Sequence, residues 1–182
     1  MPSRIQLPSY DDGMLIQGFD PIVGSGARVV VLGTLPGRDS LRLREYYADP
    51  SNAFWFITEK LFGIVGDYDE RVRGLLKNRI AIWDVLQRAR RVGSQDGEII
   101  SGTEVPNDFM AFFRIHPSIK TVFFNGQLAE TYFRKLVPPG LLLDAQIHRS
   151  PALPSTSGAN SHLTWEKKAK SWRVVRRALA NA

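Results

Sequence analysis

The chain has 182 residues, 43% of them apolar and 23% charged, which is the size and make-up of one globular domain with a real hydrophobic core. It contains no cysteine, and its three histidines, His116, His148 and His162, share no ligand-like spacing. This excludes disulfides, thiolate nucleophiles, iron–sulfur clusters and cysteine zinc sites, so neither a metal nor a cofactor is expected. A formal charge of +6 and a pI of about 9.8 fit a polyanionic partner such as nucleic acid, although many proteins of this size carry such a charge without one.

Residues Arg28 to Leu32 are apolar and β-branched and run into Gly33, the pattern of a buried strand. Gly33 to Asn52 holds two glycines, two prolines and many polar residues and reads as a long ordered loop. A helix is expected over Ala53 to Phe62 and another over Asp69 to Lys77. Arg79 to Leu86 (RIAIWDVL) reads as a second strand. Asn107 is placed to cap a helix reaching about Arg114. Ile119 to Phe124 is a third strand, followed by Asn125-Gly126 and a helix to about Leu136. Asp144 to His148 reads as a fourth strand, and Thr164 as the cap of a final helix. No repeat, low-complexity tract or linker divides the chain, so residues 1–182 are read as a single domain.

Short apolar strands alternating with helices predict an α/β fold, a three-layer αβα sandwich around a mainly parallel four-stranded sheet. In such folds ligands bind beyond the carboxyl ends of the strands. The segments that follow the strands here are Gly33–Asn52, Asn125 and Pro151–Asn160. On the last helix, Trp165, Ala169, Trp172, Val175 and Leu179 share a core-facing stripe, with Lys167, Lys170, Arg173 and Arg177 opposite. Those four, and the cluster Arg88–Arg91, suit either a solvated surface or a phosphate backbone. His148 reads either as a donor to DNA or as an ordinary strand-end histidine. No apolar run approaches the roughly 20 residues needed to span a bilayer. Met1 to Tyr10 lacks a secretory apolar stretch, so no membrane association and a cytoplasmic location are expected.

The stretch GTLPGRDSLRLREYYADPSNAFW, Gly33 to Trp55, carries the chemistry. Gly33 and Gly37 permit close backbone approach, and Pro36 fixes the turn between them. No Gly-Lys-Ser/Thr follows, so this is not a phosphate-cradling P-loop. Tyr46 and Tyr47 offer flat faces for a base. Asn52 could cap the helix that follows or face a ligand. Residues 153–157, Leu-Pro-Ser-Thr-Ser, read alone as an ordinary Ser/Pro turn.

Taken together, three ordered motifs resemble the uracil-DNA glycosylase superfamily. They are Gly-x-x-Pro-Gly after a strand, leading into Tyr46-Tyr47-x-x-Pro50-x-Asn52-x-Phe54-Trp55, then Val122-Phe123-Phe124-Asn125-Gly126, and last Leu153-Pro154-Ser155-Thr156-Ser157. The segment Val122–Gly126 resembles the family's base-reading strand. Within the superfamily the motifs are most similar to the hypoxanthine-DNA (deoxyinosine) glycosylase branch. Most members carry a water-positioning Asp or Asn where this chain has Leu35, and many a His where it has Leu153. The hypoxanthine branch shares both departures.

The resemblance implies a monofunctional glycosylase that flips a deaminated base out of DNA and hydrolyses its bond to the sugar, in base excision repair. Asn52 is then the catalytic residue. Tyr47 stacks on the base, Asn125 reads it, and Gly33 and Leu35 border it. Pro154, Ser155, Thr156 and Ser157, with Arg38, contact the DNA backbone. The partner implied is damaged DNA, duplex or single-stranded, and the protein is expected to be a monomer. Asp49 stands where relatives usually have His, placing a negative charge near a polyanion.

Breaking an N-glycosidic bond leaves negative charge on the departing base. An amide is too weak a base to deprotonate water but can hold it in attack geometry. Donors aimed at the base stabilise the charge that develops. Flipping costs a few kcal/mol, and stacking on Tyr47 returns about 1–3 kcal/mol. Competing readings are a mismatch-specific uracil-DNA glycosylase, a catalytically inactive DNA-binding module of the same fold, and a small protein acting on free nucleotides.

Overall fold

A computed structural model describes residues 13–181; the expectation for Met1 to Tyr10 lies outside the described residues. In chain order, β1 is Met14–Gln17 and β2 is Val29–Gly33. Every residue of β2 is buried, as expected for a central strand covered on both faces. The region expected to be loop contains a short helix, α1, Arg38–Leu43, closed by Arg44 in the left-handed conformation. Its charged sequence has no apolar period, which is why composition alone reads it as loop. Helix α2 is Phe54–Phe62, and α3 is Tyr68–Lys77, started by a reciprocal Asp67–Glu70 capping box.

The run expected as one strand is two. β3, Ile80–Asp84, lies in the central sheet, whereas β4, Leu86–Arg91, leaves it to pair antiparallel with β1. Its neighbour β2 ends at Gly33 and passes into the loop holding Pro36, which cannot donate to a ladder. A single 3-10 turn at Asp96–Glu98 and the two-residue β5, Val105–Pro106, follow; β5 completes a small sheet of order β1-β4-β5.

Helix α4 is Phe109–Ile115, and its cap is Asp108, whose side chain accepts from the Ala111 N–H, rather than Asn107. Asn107 instead donates from Nδ2 to the carbonyl of Asp84 at 2.8 Å. β6 is Thr121–Phe124 and α5 is Gln127–Leu136. In place of a strand from Asp144, a short helix α6 spans Leu141–Asp144 and β7 is only His148–Arg149. Gln146 adopts φ +55°, which interrupts extended backbone between them. Helix α7, Trp165–Ala180, begins as expected at Thr164, whose hydroxyl accepts from the Lys167 N–H.

The central sheet has the order β3-β2-β6-β7 with every pairing parallel, so the expected αβα fold with a parallel four-stranded sheet is present. Its two faces follow the period-2 alternation of β2. Val29 and Val31 pack with Phe54, Ile57, Leu75, Trp172 and Val175 of α2, α3 and α7. Val30 and Leu32 pack with Phe109, Phe112, Phe113, Ala129 and Phe133 of α4 and α5. On α7 the expected stripe is buried at Ala169, Trp172 and Val175, while Trp165 is largely exposed. Lys167, Lys170, Arg173 and Arg177 are exposed. No helix among the described residues is long and apolar enough to cross a membrane.

Trp172 joins this core to the carboxyl-end loops. It is 2% exposed, lies edge-on to Phe54, and donates from Nε1 to the Pro154 carbonyl at 2.9 Å. Trp172→Ala is expected to cost about 3–5 kcal/mol in urea unfolding. Trp172→Phe should recover most of the packing and lose the bond to Pro154.

Candidate active site

The carboxyl ends of β2, β3 and β6 carry Gly33, Asp84 and Asn125, and the three line one cavity of about 560 Å³. Thr34 to Ser40, Tyr46, Tyr47, Asp49 and Asn52 form one wall. Ser94 to Gly97, from the segment after β4, form another, and Ser155 to Ser157 with Asn160 and His162 close the third. The sequence-predicted residues Gly33, Leu35, Arg38, Tyr47, Asn52, Asn125, Ser155, Thr156 and Ser157 are therefore brought together. Pro154 does not line the cavity; its carbonyl faces back to Trp172.

Thr156 is the point at which the three motifs meet. It is fully buried, and its N–H and hydroxyl oxygen pair with the Asn125 side-chain oxygen and nitrogen, each at 2.8 Å. Its carbonyl accepts the Ala53 N–H at 2.8 Å, beside Asn52. Gly126, at φ +102°, lets β6 turn into α5 against Ser155; a Cβ there would sit 2.9 Å from the Ser155 Cβ. Behind the loop, the buried Lys168 donates to the Ser157 carbonyl at 3.1 Å. Asn125 thus spends most of its amide on holding this loop, with one N–H and one lone pair left for a ligand.

Asn52 faces the cavity and also braces the start of α2, although the N-cap position itself is taken by Ala53. Its Oδ1 accepts the Phe54 N–H at 3.0 Å. One lone pair on that oxygen and both Nδ2 protons remain. Asp49 shapes the preceding turn, accepting from the Ser51 N–H and hydroxyl at 2.8 and 2.7 Å. It is exposed and lines the cavity, so its negative charge does border the ligand space.

Tyr47 holds an unusual backbone, φ +57°, and its ring stacks on Phe54 with centroids 3.9 Å apart. Its hydroxyl is buried without a hydrogen-bond partner. Gly33 is required by what faces it. A Cβ there would collide with Asp84 Oδ1 and come within 3.4 Å of the Tyr47 hydroxyl. Leu35 is 6% exposed and packs in the core cluster of β2, so it shapes the cavity without polar contact.

Asp84 is the residue that sequence reasoning missed. It is 4% exposed and its Oδ2 has no hydrogen-bond partner. Burial, reinforced by the Asp96 carboxylate and opposed by Arg91, pushes its carboxyl up to about 8. A signal was present: one carboxylate at the end of the apolar run RIAIWDVL, in a strand buried on both faces. Asp96, also in the cavity, is raised by desolvation, with the Thr34 hydroxyl and Arg91 opposing.

Arg91 is no phosphate contact. It is 1% exposed and clamps the first motif, donating to the carbonyls of Pro36 at 2.7 Å and Gly93 at 3.0 Å. Arg88 and Arg90 of the same cluster are exposed, and so is His148, away from the cavity.

Two measurements check this geometry. Thr156→Val removes the hydroxyl and leaves the Asn125 amide short of a partner, and should cost about 1–3 kcal/mol in urea unfolding. Asp84 binds a proton in the native state that the unfolded chain releases near pH 3.8. Its contribution to stability is therefore full in acid and lost as the pH rises to about 8. Asp84→Asn should remove that part of the pH dependence of the urea midpoint.

No family model matches the chain. It is 33% identical over 165 residues to a hypoxanthine DNA glycosylase of Methanosarcina acetivorans, covering 89% of this chain and 98% of that protein. It is 34% identical over 150 residues to a hypoxanthine DNA glycosylase of Methanosarcina barkeri, covering 79% of this chain and 87% of that one. A solution NMR structure of a candidate uracil DNA glycosylase from Methanosarcina acetivorans superposes with a TM-score of 0.75 at 30% identity, over 92% of this chain and 99% of that one. The order of motifs, their convergence on one cavity and these similarities over nearly the full length agree: the chain belongs to the hypoxanthine-DNA glycosylase branch of the uracil-DNA glycosylase superfamily.

Proposed function

We propose that the protein is a monofunctional DNA glycosylase that hydrolyses the bond between hypoxanthine and deoxyribose in deaminated DNA, acting as a cytoplasmic monomer in base excision repair. The observation that carries this reading is the single cavity in which all three motifs converge. Its volume of about 560 Å³ falls within the range of small-molecule sites, which suits an everted nucleoside. Asn52, Asp84 and Asn125 line it together with Tyr47, whose ring is stacked on Phe54, the mixture that a flat, hydrogen-bonding base requires. No lysine is among the residues lining the cavity, which supports attack by water over a Schiff-base route with strand cleavage.

In this mechanism Tyr47, backed by Phe54, takes one face of the base. Asn52 keeps its bond from the Phe54 N–H and uses its remaining lone pair to hold the attacking water. That bond immobilises the side chain, so little order remains to be gained when substrate arrives. The spare N–H of Asn125 and backbone donors meet charge on the leaving base. Ser155 and Ser157, with the exposed Arg38 at the cavity wall, contact phosphates on either side of the extruded nucleotide.

Duplexes carrying single inosine, uracil, xanthine or mismatched thymine, followed by alkaline cleavage of abasic sites, test the proposal. Cleavage at inosine is expected. Cleavage at uracil alone would transfer the assignment to a mismatch uracil glycosylase, and tight binding without cleavage to an inactive module. Asn52→Ala is expected to lower single-turnover release about 10²-fold or more while duplex binding survives. The same variant should lose about 1 kcal/mol of stability with its bond to the start of α2. Tyr47→Ala should weaken engagement of the flipped base by about 1–3 kcal/mol in fluorescence assays of base extrusion.

A further inference from the structure

The cavity holds an acid for which the mechanism above has no use. Asp84 stands at the carboxyl end of β3, directly across from Gly33 of β2 in the parallel register. Its Oδ2 is buried and lacks a partner, and so does the buried Tyr47 hydroxyl, which like Asp84 Oδ1 lies close to where a Cβ on Gly33 would stand. Gly33 is the residue that leaves Asp84 Oδ1 its room. Buried polar groups are nearly always satisfied; among the described residues Asp84 Oδ2, the Tyr47 hydroxyl and Arg91 Nη1 are not, and the first two belong to residues that line the cavity, where a ligand can complete the set. We propose that Asp84 is a catalytic acid, delivering its carboxyl proton to the leaving base as the glycosidic bond breaks. This rests on the glycosylase reading.

The groups around it favour that role. Asp96 faces it from the turn after β4 and Arg91 from β4, with opposite effects, while Tyr46 and Tyr47 approach from the segment after α1. Arg38, Asp49 and His162 line the exposed part of the cavity. Arg91 donates from Nε and Nη2 to the carbonyls of Gly93 and Pro36, while its Nη1 lies 3.9 Å from Asp96 without a hydrogen-bond partner, so its charge lowers the Asp84 carboxyl less than burial raises it. Burial therefore dominates, and a carboxyl pushed up to about 8 still carries its proton at neutral pH. An ionised carboxylate in the same place would repel a base that is gaining negative charge. A neutral acid attracts it.

The electron pair of the C1′–N9 bond goes to the base, and the Asp84 proton goes to a ring nitrogen, so hypoxanthine leaves neutral. Water held by Asn52 forms the new C1′–O bond and gives up one proton, which restores the Asp84 carboxyl directly or through solvent. The products are free hypoxanthine and an abasic site, with the enzyme unchanged. None of the side-chain amides that line the cavity, Asn52 and Asn125 included, can supply this proton, because an amide donates hydrogen bonds without releasing hydrogen.

Single-turnover release of hypoxanthine from an inosine duplex, measured from acid to alkaline pH, is the test. The wild-type rate should fall about tenfold per pH unit above about 8. Asp84→Asn, close in shape, should be slower by about 10²-fold or more near neutrality and should lack the alkaline fall. Its circular dichroism and its binding to a non-hydrolysable 2′-fluoro inosine duplex should match the wild type. An Asp84→Asn protein that keeps the wild-type rate, or slows yet keeps the alkaline fall, overturns the proposal. Should the variant fold poorly, the wild-type profile decides alone, and a rate that stays flat or rises through the alkaline range overturns it. A wild type inert towards inosine overturns this proposal and the glycosylase reading together. An active wild type with an indifferent variant overturns only the role of Asp84.

Discussion

The site depends on one fully buried threonine. Thr156 reaches the end of β6 through both atoms of the Asn125 amide and the start of α2 through its carbonyl, so three segments far apart in the chain share one anchor. Each bond is individually modest, about 1 kcal/mol net. Their value lies in geometry, because no one of the three motifs can shift without breaking a bond to another. The C-terminal helix completes the arrangement from behind, with Trp172 on the Pro154 carbonyl and Lys168 on the Ser157 carbonyl. A helix with no residue in the cavity thus fixes the loop that has six.

Polar groups at the sheet edge divide into two kinds. Arg91, Asn107 and Asn125 are committed to carbonyls and amides and hold backbone in place. Asp84 and Tyr47 retain buried oxygens without partners. Arg91 Nη1 is likewise without a partner, but that residue braces backbone through its other nitrogens, whereas Asp84 and Tyr47 line the cavity with an oxygen to spare. The left-handed backbone of Tyr47 belongs to the second kind, since a bulky residue adopts it only where its surroundings impose it.

Much of the architecture was legible in the chain because it rests on local periodicity. The strand Val29–Gly33, the helices α2, α3, α5 and α7, and the cap at Thr164 follow from apolar spacing and end chemistry. The misreadings have a common cause. α1 carries no apolar stripe, the run Arg79 to Leu86 divides because its neighbour gives way to a loop, and β7 shrinks because Gln146 turns the backbone. These outcomes are set by neighbouring segments, which pattern does not record. Arg91 shows the same limit: within Arg88–Arg91 only its place on the inward face of β4 makes it a buried clamp.

By itself the sequence determined the fold class, the family and the set of segments that meet at the strand ends, since each is written in short stretches of residue type and spacing. It also named Asn52, Tyr47 and Asn125. Only the tertiary structure decided how those side chains are spent: Asn125 mostly on Thr156, and Asn52 partly on its own helix. It alone exposed Asp84, because the state of a carboxyl depends on desolvation and on charges brought near from other strands. Those are sums over space, and the order of residues along the chain does not contain them.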